Sequence, residues 1–174
     1  MSRNTQARIA KRECPHGASA TALPKLRLDT EPPLGTHLVT ERRGYCHHGI
    51  YVGNGKVVHY AGLAGSLHRS PVEEITIARF AAGHQTWMKP SLSARFVGED
   101  AVRRARSRLG ENCYRVLTNN CEHFCTWCLY GENRSEQIDE CLAHPSVALR
   151  TAISLLTAFL GRTLKGGRSA ACAA

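Results

Sequence analysis

Hydrophobic and polar positions alternate through the first half of the chain in a pattern typical of strands. Four short runs follow one another, at residues 36–40, 45–52, 56–60 and 72–77. Asn54-Gly55 separates the second run from the third, and this dipeptide favours a tight hairpin turn. The fourth run is rich in β-branched side chains, with residues 80–83 as its continuation or a turn. The pattern predicts an antiparallel sheet.

The second half has helical periodicity instead. In residues 98–110 acidic side chains come first and arginines last, around an apolar stripe, which matches the helix dipole. A second helix is predicted to be capped by Asn119, with Glu122 as its capping-box partner, and to end at Gly131. A third is expected from about residue 146. Strands followed by helices predict an α+β fold, in which an antiparallel sheet packs against helices.

The composition indicates one folded domain with two basic tails. Of the 174 residues, 43% are hydrophobic and 21% are charged, which is typical of a globular protein. Residues 1–33 are expected to be a basic, flexible leader that closes on Pro32-Pro33. Residues 34–144 form the predicted catalytic domain, and residues 145–174 an amphipathic C-terminal helix with a basic tail.

The net charge of +9 is concentrated in the two tails, since nothing acidic follows Glu140. Such tails suit an anionic partner, although solvated tails have the same composition. Because no interleaved aromatic residues or recognition motif are present, nucleic acid is not the expected partner. Only 11 uncharged residues separate Arg150 from Arg162, too few to span a bilayer. The C-terminal segment is expected either to pack on the sheet or to lie on a membrane surface.

Eight cysteines could indicate a secreted disulfide scaffold, but the first thirty residues contain no apolar run that resembles a signal peptide. Reduced thiols are therefore expected. The predicted location is the cytoplasm, with peripheral membrane association through the C-terminal segment.

The segment NNCEHFCTWC, residues 119–128, contains three cysteines and a histidine and could be a zinc site. At roughly 100° per residue, the three cysteines share one helix face, whereas His123 lies about 200° from Cys121. Only three ligands can converge, so no metal site is predicted. Cys125 and Cys128 are expected to be small core residues.

Cys121 has a different environment, because it falls in the first turn of the predicted helix. Unpaired N–H groups and the positive end of the helix dipole lower the pKa of a thiol there. A thiolate at this position is a candidate nucleophile, provided that a general base lies nearby.

His47, His48 and His59 all fall on the predicted hairpin and are the candidate bases. With a two-residue loop, Ile50 would pair with His59, which places His48 on the face of His59. A bulge or a three-residue loop would bring His47 there instead. The turn sequence permits either arrangement.

The sequence CHHGIYVGNGKVVHY at residues 46–60, followed by NCEHF at residues 120–124, resembles the lecithin retinol acyltransferase family. The resemblance extends over about residues 35–131. It implies a circularly permuted papain-like fold, related to NlpC-type peptidases, in which the sheet that carries the histidines precedes the helix of the nucleophile. By the family's pattern Cys121 is the nucleophile, His47 the base and His59 the residue that orients it. The hairpin must then depart from the simplest two-residue register.

The resemblance also implies an activity. The cysteine would take an acyl chain from a glycerophospholipid as a thioester and pass it to an acceptor or to water, with no cofactor. One rival reading is a papain-like thiol peptidase or amidase that uses the same three residues. Another is a non-catalytic binding module.

Overall fold

The computed structural model describes residues 24–26, 31–42, 45–62 and 70–144, together with positions 146, 149, 152 and 153. Its elements are, in chain order, β1 (His37–Arg42), β2 (Tyr45–Gly53), β3 (Lys56–Gly62), β4 (Ser70–Thr76), α1 (Ile77–Ala81), β5 (Thr86–Lys89), α2 (Glu99–Ser107), α3 (Cys121–Tyr130) and α4 (Glu136–Ala143). The five strands form one sheet in the order β4-β3-β2-β1-β5. Every neighbouring pair is antiparallel, which confirms the predicted α+β class.

The β2–β3 hairpin turns at the predicted dipeptide. Asn54 and Gly55 both have positive φ, at 52° and 65°, as a tight hairpin turn requires. Gly53 pairs with Lys56 and Tyr51 pairs with Val57, so the register shifts between Tyr51 and Gly53. One residue, Val52, is therefore extra in β2, and this bulge changes which side chains share a face.

The two faces of the sheet have separate cores. One face packs against α2 and α3 through a cluster that includes Ile50, Val58, Tyr60 and Phe124. The opposite face is covered in part by α1, whose Phe80 packs with Leu38, Tyr51 and Val57. Because side chains alternate along β2, His48 has the parity of Ile50 and His47 has the parity of Tyr51.

The structure differs from the predicted elements in three places. Residues 77–81 form α1 rather than a continued strand or a turn, because the Thr76 side chain caps a helix by accepting from the backbone N–H of Arg79. β5 and α4 were not expected from the sequence. Within the predicted leader, residues 24–26 lie along β5, where the N–H of Leu26 donates to the carbonyl of Thr86 over 2.9 Å.

The third predicted helix lies mostly outside the described residues. Positions 146, 149, 152 and 153 are helical. Leu149 and Ile153 have 62% and 53% of their surface exposed, so more than half of each apolar side chain is uncovered. Among the described residues, no helix combines the length and hydrophobicity needed to cross a membrane.

Candidate active site

His47 and His59 form a buried pair across the β2–β3 hairpin. Nε2 of His47 lies 2.8 Å from Nδ1 of His59, and the two rings are nearly perpendicular. The bulge at Val52 makes this contact possible, because it sets a register in which His59 lies opposite Gly49 instead of opposite Ile50. Of the two registers that the sequence left open, the structure has the bulged one. The predicted pairing of His47 with His59 is confirmed, and their catalytic roles stay a prediction.

His48 points to the other face of the sheet. Its Nδ1 lies 2.9 Å from Nε2 of His37, and its own Nε2 lies 2.7 Å from Nε2 of Gln137 at the start of α4. The adjacent histidines of β2 therefore belong to two different hydrogen-bond systems, and His48 does not share the face of His59.

Cys121 is the first residue of α3, and its sulfur lies against the backbone of β2. The sulfur is 3.9 Å from the carbonyl oxygen of Cys46, and the backbone N–H of His48 is near enough to favour its thiolate form. These two residues flank His47 in the chain. The paired register of β2 with β3 begins only at Gly49. The thiol thus lies against the backbone of β2 beside His47, on the face of the sheet that α3 covers, whereas the His47 side chain has the parity of the opposite face.

The thiol and the histidine pair are neutral in the resting site. Burial raises the pKa of Cys121 to about 12, although N–H groups of His48 and of the helix start act in the opposite direction. The expectation of a lowered pKa for Cys121 is wrong, because desolvation outweighs the helix terminus. Burial also lowers the pKa of His47 well below its ordinary value, with His59 and Arg42 adding to the effect. The pKa of His59 falls to about 4, mainly through burial.

The helix that carries Cys121 begins one residue later than predicted. Asn120 is the N-cap, and its side chain accepts from the N–H groups of Glu122 and His123. Nδ1 of His123 accepts from the N–H of Asn120 over 3.4 Å, so His123 completes the capping box in place of Glu122. Asn119 has another function, because its side chain accepts from Arg108 and donates to the carbonyl of Cys113.

Glu122 and Gln137 connect α3, α4 and β2; the sequence analysis assigned Glu122 only a capping role and did not identify Gln137. The buried Glu122 carboxylate accepts from the Ser135 hydroxyl over 2.6 Å and from the N–H of Gln137 over 3.0 Å. Lys89 lies 3.3 Å from its other oxygen. Burial opposes ionisation, but His48, Lys89 and these hydrogen bonds hold the pKa of Glu122 far below its usual range. The serine followed by a helical pattern, Ser135 before α4, was the available signal.

The Gln137 side chain holds the strand segment next to the thiol. Its Oε1 accepts from the N–H of Cys46 over 3.3 Å, and its Nε2 lies 3.4 Å from the Cys46 carbonyl oxygen. That same carbonyl oxygen faces the sulfur of Cys121. A single amide group therefore contacts both main-chain polar groups of the residue before His47.

The other cysteines have structural environments. Cys125 and Cys128 are fully buried free thiols in the α3 core, as predicted, and burial raises the pKa of both. His123 bonds to the backbone of Asn120 instead of joining these sulfurs. Cys46 is disulfide-bonded, so the expectation of reduced thiols is wrong at this position.

In the described part of the chain, cavities that lie beside α3 include two that the three candidate catalytic residues do not line. One, of about 750 Å³, is bordered by Arg115, Asn119 and Trp127. The other, of about 380 Å³, is bordered by His37, Met88 and Leu129. Cys121 itself is only 3% exposed. A substrate therefore has to displace neighbouring groups before it reaches the sulfur.

These features define an α+β protein with a buried thiol at a helix start, next to a strand that contributes one of two hydrogen-bonded histidines. Comparison with known families places it more narrowly. Residues 30–134 match the family model described as lecithin retinol acyltransferase, and the chain belongs to this family.

Characterised relatives cover most of the chain. It is 31% identical over 150 residues to human phospholipase A and acyltransferase 2, which covers 76% of this chain and 93% of that protein. It is 29% identical over 159 residues to rat lecithin retinol acyltransferase, with 73% and 67% covered. Human phospholipase A and acyltransferase 1 is 29% identical over 148 residues, with 74% and 84% covered.

Proposed function

We propose that this protein is a thiol-dependent acyltransferase or phospholipase A-type hydrolase that acts on glycerophospholipids. The family membership supports the class of reaction. The observation that carries the mechanism is the 2.8 Å contact between His47 of β2 and His59 of β3. The backbone of β2 also contacts the sulfur of Cys121. Such a pair provides a base and a group that orients it.

In the proposed reaction His47 accepts the proton of the Cys121 thiol while the sulfur attacks the ester carbonyl carbon. The carbon–oxygen bond to the glycerol then breaks, and protonated His47 gives its proton to the leaving alcohol, which leaves an acyl thioester on Cys121. His59 holds the ring of His47 throughout. In the first turn of α3 the N–H groups of Glu122 and His123 are held by the Asn120 side chain, so the proposal assigns stabilisation of the oxyanion to the backbone N–H of Cys121.

The second half of the reaction repeats these roles. His47, again neutral, removes a proton from water, an alcohol or an amine as this acceptor attacks the thioester. The sulfur leaves as a thiolate and recovers the proton from His47. Transfer and hydrolysis differ only in which acceptor reaches the thioester.

The resting protonation states agree with this role for His47. A thiol of raised pKa and an imidazole of lowered pKa are both neutral near pH 7, so His47 is free to accept a proton. Proton transfer then accompanies attack instead of preceding it. Burial disfavours both the Cys121 thiolate and the His47 imidazolium. A substrate that displaces the groups around Cys121 would change this burial.

Two finer features belong to the same proposal. The order of elements, with the strands of His47 and His59 before the helix of Cys121, supports a circularly permuted papain-like arrangement. The exposed apolar side chains of Leu149 and Ile153, next to a basic C-terminal sequence, support peripheral contact with a membrane surface.

The experiment offers phosphatidylcholine vesicles to the wild-type protein, to Cys121→Ala and to Cys113→Ala, which removes an exposed free thiol. Lysophospholipid and fatty acid are measured, and intact-protein mass spectrometry detects an acyl adduct. We expect product and adduct with the wild type and Cys113→Ala, and at least a ~1000-fold loss with Cys121→Ala. Product release that survives Cys121→Ala, or turnover of peptide and isopeptide substrates only, would contradict the proposal.

A further inference from the structure

The second ring nitrogen of His59 lies close to a carboxylate. Nδ1 of His59 contacts His47, whereas Nε2 is buried and forms no hydrogen bond of good geometry within the described part of the chain. The nearest acidic group is Glu73 on β4, whose Oε1 lies 3.3 Å from that nitrogen. His59 and Glu73 are directly opposite each other in the β3–β4 ladder, so the backbone itself maintains this proximity.

The next residue on β4 is a natural comparison. Glu74 points to the other face of the sheet, where it binds Lys56 over 3.3 Å and Arg106 over 2.9 Å. The side chain of Glu73 is 41% exposed, and the contact found for it in the described structure is with the imidazole of His59. The two adjacent carboxylates thus have different partners, a histidine and a pair of cations.

We propose that Glu73 is a positioning residue that fixes the proton arrangement of the histidine pair. This inference rests on the proposed function of Cys121 and His47. A carboxylate 3.3 Å from Nε2 of His59 favours the tautomer with the proton on that nitrogen, which leaves Nδ1 of His59 as an acceptor. Nε2–H of His47 then donates to it, and Nδ1 of His47 has a free lone pair to receive the proton of the thiol. With the opposite tautomer of His59, Nδ1–H would meet Nε2 of His47, and the proton of His47 would occupy Nδ1.

The charge of Glu73 has a second effect. Among the described residues, the charged and titratable groups found to interact with His59 are Arg42 of β1, His47 of β2, Glu73 of β4 and Arg79 of α1. Burial, Arg42 and Arg79 lower the pKa of His59. Because Glu73 carries the negative charge in this set, it partly offsets the two arginines when the pair gains a proton.

The test compares the matched variants Glu73→Gln and Glu74→Gln, with Glu73→Asp as the conservative replacement. Turnover is measured on a short-chain phosphatidylcholine dissolved as monomers, from pH 4 to pH 9. For Glu73→Gln we expect kcat to fall about tenfold with KM changed less than about twofold. The acid limb of the kcat/KM profile should move to lower pH, because loss of the carboxylate favours the neutral imidazoles. Glu74→Gln should match the wild type, and Glu73→Asp should recover part of the loss.

Nitrogen-15 NMR of the histidine rings tests the same inference without any substrate. We expect both His47 and His59 of the wild type to carry the proton on Nε2, and the titration midpoint of His59 to fall in Glu73→Gln. A wild-type His59 protonated on Nδ1, or an unchanged midpoint and kcat in folded Glu73→Gln, would overturn the role of Glu73. If the wild-type protein turned over no phospholipid, the proposed function would fail, and the NMR measurements would still decide the proton arrangement.

Discussion

Gly49 lies next to the paired histidines, two residues after His47, and the space around it leaves no room for a side chain. It is directly opposite His59 in the ladder. A Cβ at this position would lie 2.5 Å from Cγ1 of Val57, 2.9 Å from the ring of Phe80 and 3.3 Å from Cβ of His59. The close approach of these groups, and not an unusual φ, is what requires glycine here.

We therefore expect Gly49→Ala to destabilise the fold by about 1–3 kcal/mol through overpacking and to reduce phospholipid turnover by more than the loss of folded protein explains. Chemical denaturation and activity per folded molecule are the measurements. Gly83→Ala is the control, because Gly83 has a φ of 81° and open space around it. That variant should lose stability through backbone strain while its turnover stays normal. Full turnover in folded Gly49→Ala would contradict the expectation.

At the scale of residues, the sequence predicted which histidines lie together better than it predicted how buried the Cys121 thiol is. The motif residues pointed to Cys121, His47 and His59 as a set, and the structure pairs the two histidines. The pKa of Cys121 was predicted in the wrong direction, because a position at a helix start is visible in sequence whereas burial at 3% exposure depends on β2 packing over it. Glu73 was missed for the same reason, since its partner is set by strand pairing.

At the scale of elements, α4 adds a link between the thiol-bearing helix and β2, which already pack against each other, and it does so mainly through Gln137. This residue contacts the N–H and carbonyl of Cys46 and the ring of His48. Since the Cys46 carbonyl and the His48 N–H both contact the sulfur of Cys121, Gln137 fixes the backbone on both sides of His47.

Gln137→Met keeps the side-chain length but removes these hydrogen bonds. We expect a folded protein with kcat reduced about tenfold or more, because small displacements of a nucleophile and its base are costly. The N–H of His48 would point less well at the sulfur, so alkylation of Cys121 by iodoacetamide should shift to higher pH. Gln85→Ala is the control, since Gln85 is exposed before β5. An alkylation profile identical to the wild type would show that α4 does not position the thiol.

Long elements with clear periodicity were predictable, and short ones were not. The hairpin, α2 and α3 have turn or capping signals of their own. β5 has only four residues and exists because it pairs with β1, and α4 depends on Glu122, which lies 13 residues before its Ser135 cap. The bulge at Val52 was one of two options, and only the packed sheet selects it.

At the scale of the whole molecule, the pKa shifts of the buried ionisable groups make the fold most stable within a narrow range of pH. Burial lowers the pKa of His37 and His47 well below the ordinary 6.5, and that of His59 to about 4. Their unfolded forms take up protons first, so stability is complete above about pH 6.5 and is lost as the pH falls towards 4. Burial raises the pKa of Cys121 and Cys128 to about 12, so stability is lost again as the pH rises above about 9.

We expect the midpoint of thermal unfolding to be highest between about pH 7 and pH 9 and to fall on both sides. Calorimetry or circular dichroism over pH 4–11 measures it. In Cys128→Ala the alkaline decline should be shallower, because one fewer thiol loses its proton on unfolding. A midpoint that stays level from pH 7 down to pH 4 would contradict the neutral, buried state of the histidines.

The capping of α3 by a histidine has a separate consequence for acid conditions. Nδ1 of His123 can accept from the N–H of Asn120 only while the ring is uncharged. A proton on that nitrogen would repel the same N–H, and the first turn of α3 would unwind locally. Since Cys121 is in that turn, acidification is expected to release the sulfur from β2 before the domain melts.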